Sequence, residues 1–266
     1  MTPSPARSAG DGPAPESLPP LVRGVRFEQR LNESVPLDLT FLEETGEQVR
    51  LTDYFAGKPV ILVLAYYRCP RLCTQVLNGL LESLKNLQEL EAGKEFQVVA
   101  VSFDPRESSE LAAAKKKAYV ENYGRPSAGA GWHFLTGPQQ SIDRLTEAVG
   151  FHYAYDPASD QFAHASGIVV LTPQRKIARY FYGIQFPPRD LRLGLVEAAE
   201  NKIGSPVDQL LLLCFHYDPA TGKYTVTALN FVRLAGGIFV LALGLFFVVL
   251  WRREKRQAPT PLAPAG

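Results

Sequence analysis

The stretch Ala65-Tyr66-Tyr67-Arg68-Cys69-Pro70-Arg71-Leu72-Cys73 stands between a solid apolar run and a leucine-rich pattern of helical period. Val60 to Leu64 is short, continuous and built of β-branched and aliphatic residues, as expected of a strand buried on both faces. After it, Val76, Leu77, Leu80, Leu81, Leu84 and Leu87 recur at helical spacing, and Pro70 suits a first helical turn. Both cysteines are therefore expected at the start of one helix. Residues four apart on a helix share a face, with Cβ atoms about 5 to 6 Å apart, so the two sulfurs can meet or share a metal. The helix N-terminus and the flanking Arg68 and Arg71 favour the thiolate, the form that attacks disulfides and binds metals. The bland alternative is two inert cysteines packing as small hydrophobes.

Reading outward, Val35-Pro-Leu-Asp-Leu-Thr-Phe and Val49 to Tyr54 form a hairpin around the turn Glu44-Thr-Gly-Glu. The cysteine helix runs to near Gly93. Phe96 to Phe103 is a second strand, Asp104-Pro105 closes it, and Glu107 to Tyr123 is helical. A right-handed strand-helix-strand crossover puts Cys69 and Asp104, each just past a strand end, at one edge of the sheet. Lys115-Lys116-Lys117 reads as a solvated helix face. Trp132 to Gly137 is a short strand, Pro138 to Val149 a helix, and Gln161 to Gly167 a loop. Ile168 to Thr172 and Ile177 to Tyr182 form a second hairpin, and Pro187 to about Lys202 a last helix. His133 and His152 fall in aromatic strand patterns and read as packing residues.

The formal net charge is +1, and no basic stripe with interleaved aromatics suggests nucleic acid. Three cysteines, two of them in the close pair, do not make a disulfide scaffold. Leu234 to Trp251 is uncharged and strongly apolar, and Arg252-Arg253-Glu254-Lys255-Arg256 follows it. With its extension toward Ala228 this reads as one transmembrane helix, residues 229–251, with a cytoplasmic tail 252–266 and the main domain outside the cytoplasm of a bacterial-type membrane. The expected organisation is a low-complexity leader or linker 1–24, an α/β domain 25–202, a juxtamembrane linker 203–228, then the span. Residues 1–24 hold no apolar signal core, which an exported domain needs. A start further upstream or a chain already trimmed is expected, ahead of the alternative of an inverted topology.

The element order is that of a thioredoxin-like domain with an N-terminal β-hairpin. Cys69-Pro-x-x-Cys73, Val101-Ser-Phe-Asp104-Pro105 and His164-Ala-Ser resemble, across about residues 33 to 200, the Sco/SenC family of copper chaperones for cytochrome c oxidase assembly. The resemblance implies a copper site of Cys69, Cys73 and His164, with Asp104 orienting the site or capping the next helix. Two thiolates and an imidazole suit Cu(I) and can adapt to Cu(II), whereas a closed zinc site would want a fourth protein ligand. Implied partners are the copper-bearing oxidase subunit, a thiol reductant or copper donor protein, and the membrane. The function implied is a metallochaperone's, not an enzyme's. The alternative is a thiol-disulfide oxidoreductase with Cys69 and Cys73 as its redox disulfide, but the four-apart spacing and the lack of a proline before the Ile168 strand depart from such reductases. A peroxidase would want Thr three residues before a cysteine, where Tyr66 and Pro70 stand. In the family the aromatic pair Tyr66-Tyr67 is often Phe-Thr, and the anchor is mostly N-terminal. Cys214 and His216, in the linker, are candidate auxiliary copper ligands.

Overall fold

In a computed structural model of the chain, residues 24–203 except 37 and 88 are described, together with 217–218, 223–224, 236–237, 239–240, 243–248 and 252. The chain divides into two compact units, Met1–Ser205 and Pro206–Gly266. In the first, β1 is Arg26–Phe27, β2 Thr40–Leu42, β3 Gln48–Arg50, β4 Val60–Ala65, α1 Leu72–Lys85, β5 Gln97–Ser102, α2 Ser109–Tyr123 and α3 Ala128–Gly131. There follow β6 Trp132–Leu135, α4 Gln139–Ala148, β7 Phe151–Asp156, β8 Gln161–His164, β9 Gly167–Leu171, β10 Ile177–Tyr182 and α5 Pro188–Ala199.

The central sheet runs β10-β9-β4-β5-β6, with β4, β5 and β6 parallel and β9 antiparallel to β4 and β10. Every residue of β4 and β5 is buried, which is why Val60–Ala65 and Val98–Val101 are unbroken apolar runs rather than alternating ones. Each Val, Ile or Leu so covered contributes about 1.5–3 kcal/mol. On α1 the stripe Val76, Leu77, Leu80, Leu81 and Leu84 is buried, and the helix packs against β4, α2 and α5. Gly79 lets it come close: a Cβ there would stand 1.8 Å from the carbonyl oxygen of Ile184. This is the expected thioredoxin-like α/β arrangement.

Four details differ from the sequence reading. Helix α1 begins at Leu72 and ends at Lys85, not near Gly93; Leu87 is buried, but as part of the chain leaving the helix. The run Leu51–Tyr54 is a 3-10 turn that follows the β2–β3 hairpin instead of prolonging its strand. Gln161–His164 is a strand rather than a loop, paired with β7 in a separate three-stranded sheet β1-β7-β8, because Phe162 packs between Tyr153, Tyr155 and Phe103. Lys117 is solvated as expected, but Lys116 has only 21 % of its side chain exposed and pairs with Glu44.

In the second unit, β11 (Tyr217–Asp218) pairs antiparallel with β12 (Lys223–Tyr224). Cys214 and His216 lie outside the described residues, as does most of the expected span 229–251. Among the described residues no helix is long and apolar enough to cross a membrane. Residues 236–237, 239–240 and 243–248 are helical, and Phe239, Val240 and Leu245 are 65–69 % exposed.

Candidate metal centre

Parallel pairing sets Ala65 opposite Ser102 at one edge of the sheet, so the segments leaving β4 and β5 emerge side by side. After Ala65 the chain makes a turn closed by the Cys69 amide donating to the Tyr66 carbonyl at 3.2 Å. Cys69 therefore sits in that turn, three residues ahead of the helix, and only Cys73 rides the first turn of α1. Pro70 lies before the helix; Arg71, at φ −137° and ψ −86°, is its N-cap. The sulfurs are nonetheless brought together, with the Cys73 amide donating to Cys69 Sγ at 3.4 Å and the Tyr66 amide to Cys73 Sγ at 3.4 Å. Both thiols are free and buried, at 7 % and 2 % exposure.

His164 enters from the other sheet, as the last residue of β8. Its Nε2 lies 3.2 Å from Cys73 Sγ, and its Nδ1 lies 2.9 Å from the Ala165 carbonyl oxygen. A carbonyl only accepts, so Nδ1 carries a proton, and Nε2 is the ring nitrogen turned toward the sulfurs. The ligand atoms of Cys69, Cys73 and His164 all lie within 4.8 Å of one another. Tyr66, Phe103 and Phe151 wall the imidazole, with ring centroids at 6.0, 5.3 and 6.2 Å.

The two thiols are driven apart in acidity. Hydrogen bonding from Cys73 pulls the Cys69 thiol well below its ordinary value, helped by His164, Tyr66 and the Arg71 backbone and opposed by burial. Burial and the charge on Cys69 push Cys73 far up. Of the two, Cys69 is thus the more acidic thiol and Cys73 the less acidic. The side chains of Arg68 and Arg71, exposed to solvent, are not among these causes. The thiolate is set by contacts inside the site rather than by its arginine neighbours.

Asp104 is buried beside this edge, its side chain 3 % exposed, and Arg106 grips both of its carboxylate oxygens at 2.8 Å. The cap of α2 is Ser108; Asp104 instead closes the turn before it, accepting from the Arg106 amide at 3.0 Å. Arg106 also reaches Asp160 at 2.7 Å and lies over the rings of Tyr155 and Phe162. It therefore ties the β5–α2 turn to the hairpin that carries His164. Sequence reasoning missed Arg106 and the neighbouring Glu107. Their only signal was a charged pair in a strand-to-helix turn, which reads as a solvated helix start.

A second set of possible donors, Glu43, Glu44 and His133, also converges within 4.8 Å. Its carboxylates already have partners, since Lys116 pairs with Glu44 and the Tyr54 hydroxyl donates to Glu43 at 3.0 Å. His133 Nε2 meets Gln97 Oε1 at 3.2 Å, and His152 Nε2 lies 3.2 Å from Glu28. This second set braces the β2–β3 hairpin against β6, so His133 does more than pack.

The family profile SCO1/SenC matches residues 28–197. The mitochondrial protein SCO2 homolog of Bos taurus is 23 % identical over 148 residues, 54 % of this chain and 52 % of that protein. The chain thus spans about half the length of this curated relative. Among solved structures, a candidate electron transfer protein from Aquifex aeolicus VF5 superposes with a TM-score of 0.57 at 26 % identity, covering 65 % of this chain and 96 % of that one. BsSco, a member of the Sco family of cytochrome c oxidase assembly proteins, gives 0.51 at 20 % identity over 66 % and 99 % of the two chains, a likeness of fold.

Proposed function

The chain belongs to the SCO1/SenC family, and on that premise we propose that it is a copper-binding chaperone for assembly of the cytochrome c oxidase copper centre. Copper is its cargo, held by Cys69, Cys73 and His164. The observation that carries this reading is His164 Nε2, held 3.2 Å from Cys73 Sγ while Nδ1 is tied to the backbone, so that the nitrogen facing the sulfurs is the one left to bind a metal. Disulfide exchange needs a thiolate attacking a sulfur and no imidazole donor. Two soft sulfurs and one borderline nitrogen make a donor set for copper. Asp104 acts through Arg106, which holds the histidine hairpin to the cysteine edge. The proposed client is the copper-bearing oxidase subunit, in line with the role that BsSco's family name states. A copper donor protein or thiol reductant would load or reset the pair.

The proposed organisation keeps 25–202 as the copper domain and 229–251 as a single membrane anchor. The domain stands on the extracytoplasmic side and the tail 252–266 in the cytoplasm. The apolar run, the basic cluster after it and the exposed helical residues 243–248 support the anchor. Cys214 and His216 are dispensable in this scheme.

A second reading, thiol-disulfide oxidoreductase, is favoured by a Cys69 thiol whose pKa is lowered beside a Cys73 thiol that burial pushes up. Copper titration in both oxidation states separates the two. The wild type is expected to bind one copper. His164→Ala should lose the Cu(II)-thiolate charge-transfer band and bind Cu(II) far more weakly, with a smaller loss for Cu(I), and Cys69→Ser or Cys73→Ser should lose both. A wild type that binds no copper at sub-micromolar levels, with oxidase assembly intact in His164→Ala cells, would replace the chaperone by the oxidoreductase.

A further inference from the structure

The turn that carries Cys69 has an unusual support. Residues 66–69 form a β-turn closed by the Cys69 amide on the Tyr66 carbonyl. The two middle amides of such a turn, here Tyr67 and Arg68, have no partner within the turn itself and ordinarily face water. Here both are captured by one carboxylate: the Tyr67 amide donates to Glu107 Oε2 and the Arg68 amide to Glu107 Oε1, each at 2.7 Å. The Ser102 hydroxyl donates to Glu107 Oε2 at 2.6 Å. Glu107 is 6 % exposed, and among the described residues no lysine or arginine side chain pairs with it. Its three partners are two backbone amides of the turn and the hydroxyl of the last residue of β5.

We propose that Glu107 is a positioning residue of the thiol site, its carboxylate clamping the Tyr66–Cys69 turn and so fixing where Cys69 Sγ stands against Cys73 and His164. Both oxygens must accept, because every group facing them donates. Charge-assisted bonds to backbone amides are short and about twice as strong as neutral ones, which suits a clamp on a turn with no regular structure of its own. Ser102, the last residue of β5 and the register partner of Ala65, anchors the carboxylate to the sheet. The clamp therefore transmits the rigidity of the central sheet to the first sulfur, whereas the second sulfur takes its place from α1. The inference deepens the copper reading and rests on it only for its metal-binding consequence.

The test is Glu107→Gln in the full chain, which keeps the shape but turns one acceptor into a donor facing a donor. Three quantities are measured: hydrogen exchange at the Tyr67 and Arg68 amides, the rate of Cys69 alkylation by iodoacetamide in the metal-free protein, and Cu(I) affinity by chelator competition. Exchange at the two amides should speed up at least about tenfold relative to amides in β4, the alkylation rate should change, and Cu(I) affinity should fall about tenfold, the range seen when groups supporting metal ligands are removed. Ser102→Ala, which removes one donor and keeps the carboxylate, should move all three the same way by less. It carries the test alone if Glu107→Gln does not fold. Unchanged exchange, alkylation and affinity overturn the clamp, even if the melting temperature falls, because a merely structural glutamate would lower that alone. If the wild type binds no copper, the chaperone reading fails while the exchange and alkylation measurements still decide the clamp.

Discussion

Replacing Gly79 by alanine sets two forces against each other. In an isolated helix the change is favourable by about 1 kcal/mol, since alanine loses less backbone freedom. In this fold the new Cβ would stand 1.8 Å from the carbonyl oxygen of Ile184 and 2.9 Å from its carbon, where ordinary contact begins at 3.4 Å. The obstacle is backbone, which cannot rotate aside as a flexible side chain can. Either α1 or the turn containing Ile184 must retreat by roughly 1.6 Å, the difference between the 1.8 Å approach to the oxygen and the 3.4 Å of ordinary contact. Overpacking of a filled core costs about 1–3 kcal/mol, and a backbone obstacle belongs at the upper end, so the net loss should be near 2 kcal/mol. Urea unfolding of wild type and variant measures it, with a lower midpoint and an unchanged slope expected. The same shift should reach the site. Cys73 is on the first turn of α1 and His164 is on another sheet, so their 3.2 Å approach opens and copper binding weakens. A variant as stable as the wild type, with full copper affinity, would refute the close approach of α1 to this turn.

Two further outcomes are expected. His133 has its pKa lowered, first by burial and then by the Lys116 charge, with Glu43 and Glu44 opposing; Tyr54 and Gln97 are its uncharged neighbours. The folded state therefore favours the neutral ring, and the stability this gives is whole above the ordinary value of 6.5 and is lost as pH falls below it. Urea midpoints at pH 7.5 and 5.5 should differ more in the wild type than in His133→Gln, and equal differences would remove His133 from the acid response. For topology, an alkaline phosphatase fusion placed before Leu229, on a chain given an export signal, should be active, and activity confined to a cytoplasmic reporter would reverse the proposed orientation.

How much of this was legible in the residues differs from element to element. Strands β4 and β5 were plain because a strand covered on both faces is apolar throughout its middle, with the polar Gln97 and Ser102 only at the ends of β5. Helix α1 was recognised from its leucine stripe, but its start was not. Pro70 is compatible with a first helical turn, and nothing local told that the chain would first make a β-turn and place Cys69 outside the helix. The pairing of the two sulfurs was right for a partly wrong reason: a turn plus one helical turn brings them together, not a shared helical face. His164 was reached only through resemblance, since Gln161-Phe-Ala-His is too short and too polar to announce β8. Glu107 and Lys116 were invisible as buried groups because their partners, the Tyr67 and Arg68 amides and Glu44, lie 39 to 72 residues away. Only the tertiary fold supplies them.

The three donors do not belong to one sheet. One stands on the turn leaving β4, one on the first turn of α1 and the third at the end of the β7–β8 hairpin, so an ion held by all three is a bridge between the five-stranded sheet with its helix and a separately hydrogen-bonded sheet. Retaining the ion and keeping the hairpin seated then become one linked equilibrium. Whatever strengthens the seat, such as Arg106 between Asp104 and Asp160, would raise affinity for such an ion. Cargo in turn holds the hairpin down by the same free energy. A partner that grips the hairpin's exposed Tyr155 edge could therefore lower the protein's hold on the ion without touching a sulfur. Loading should accordingly slow amide exchange across 151–164, and equal rates with and without copper would mean that the two layers are coupled by packing alone.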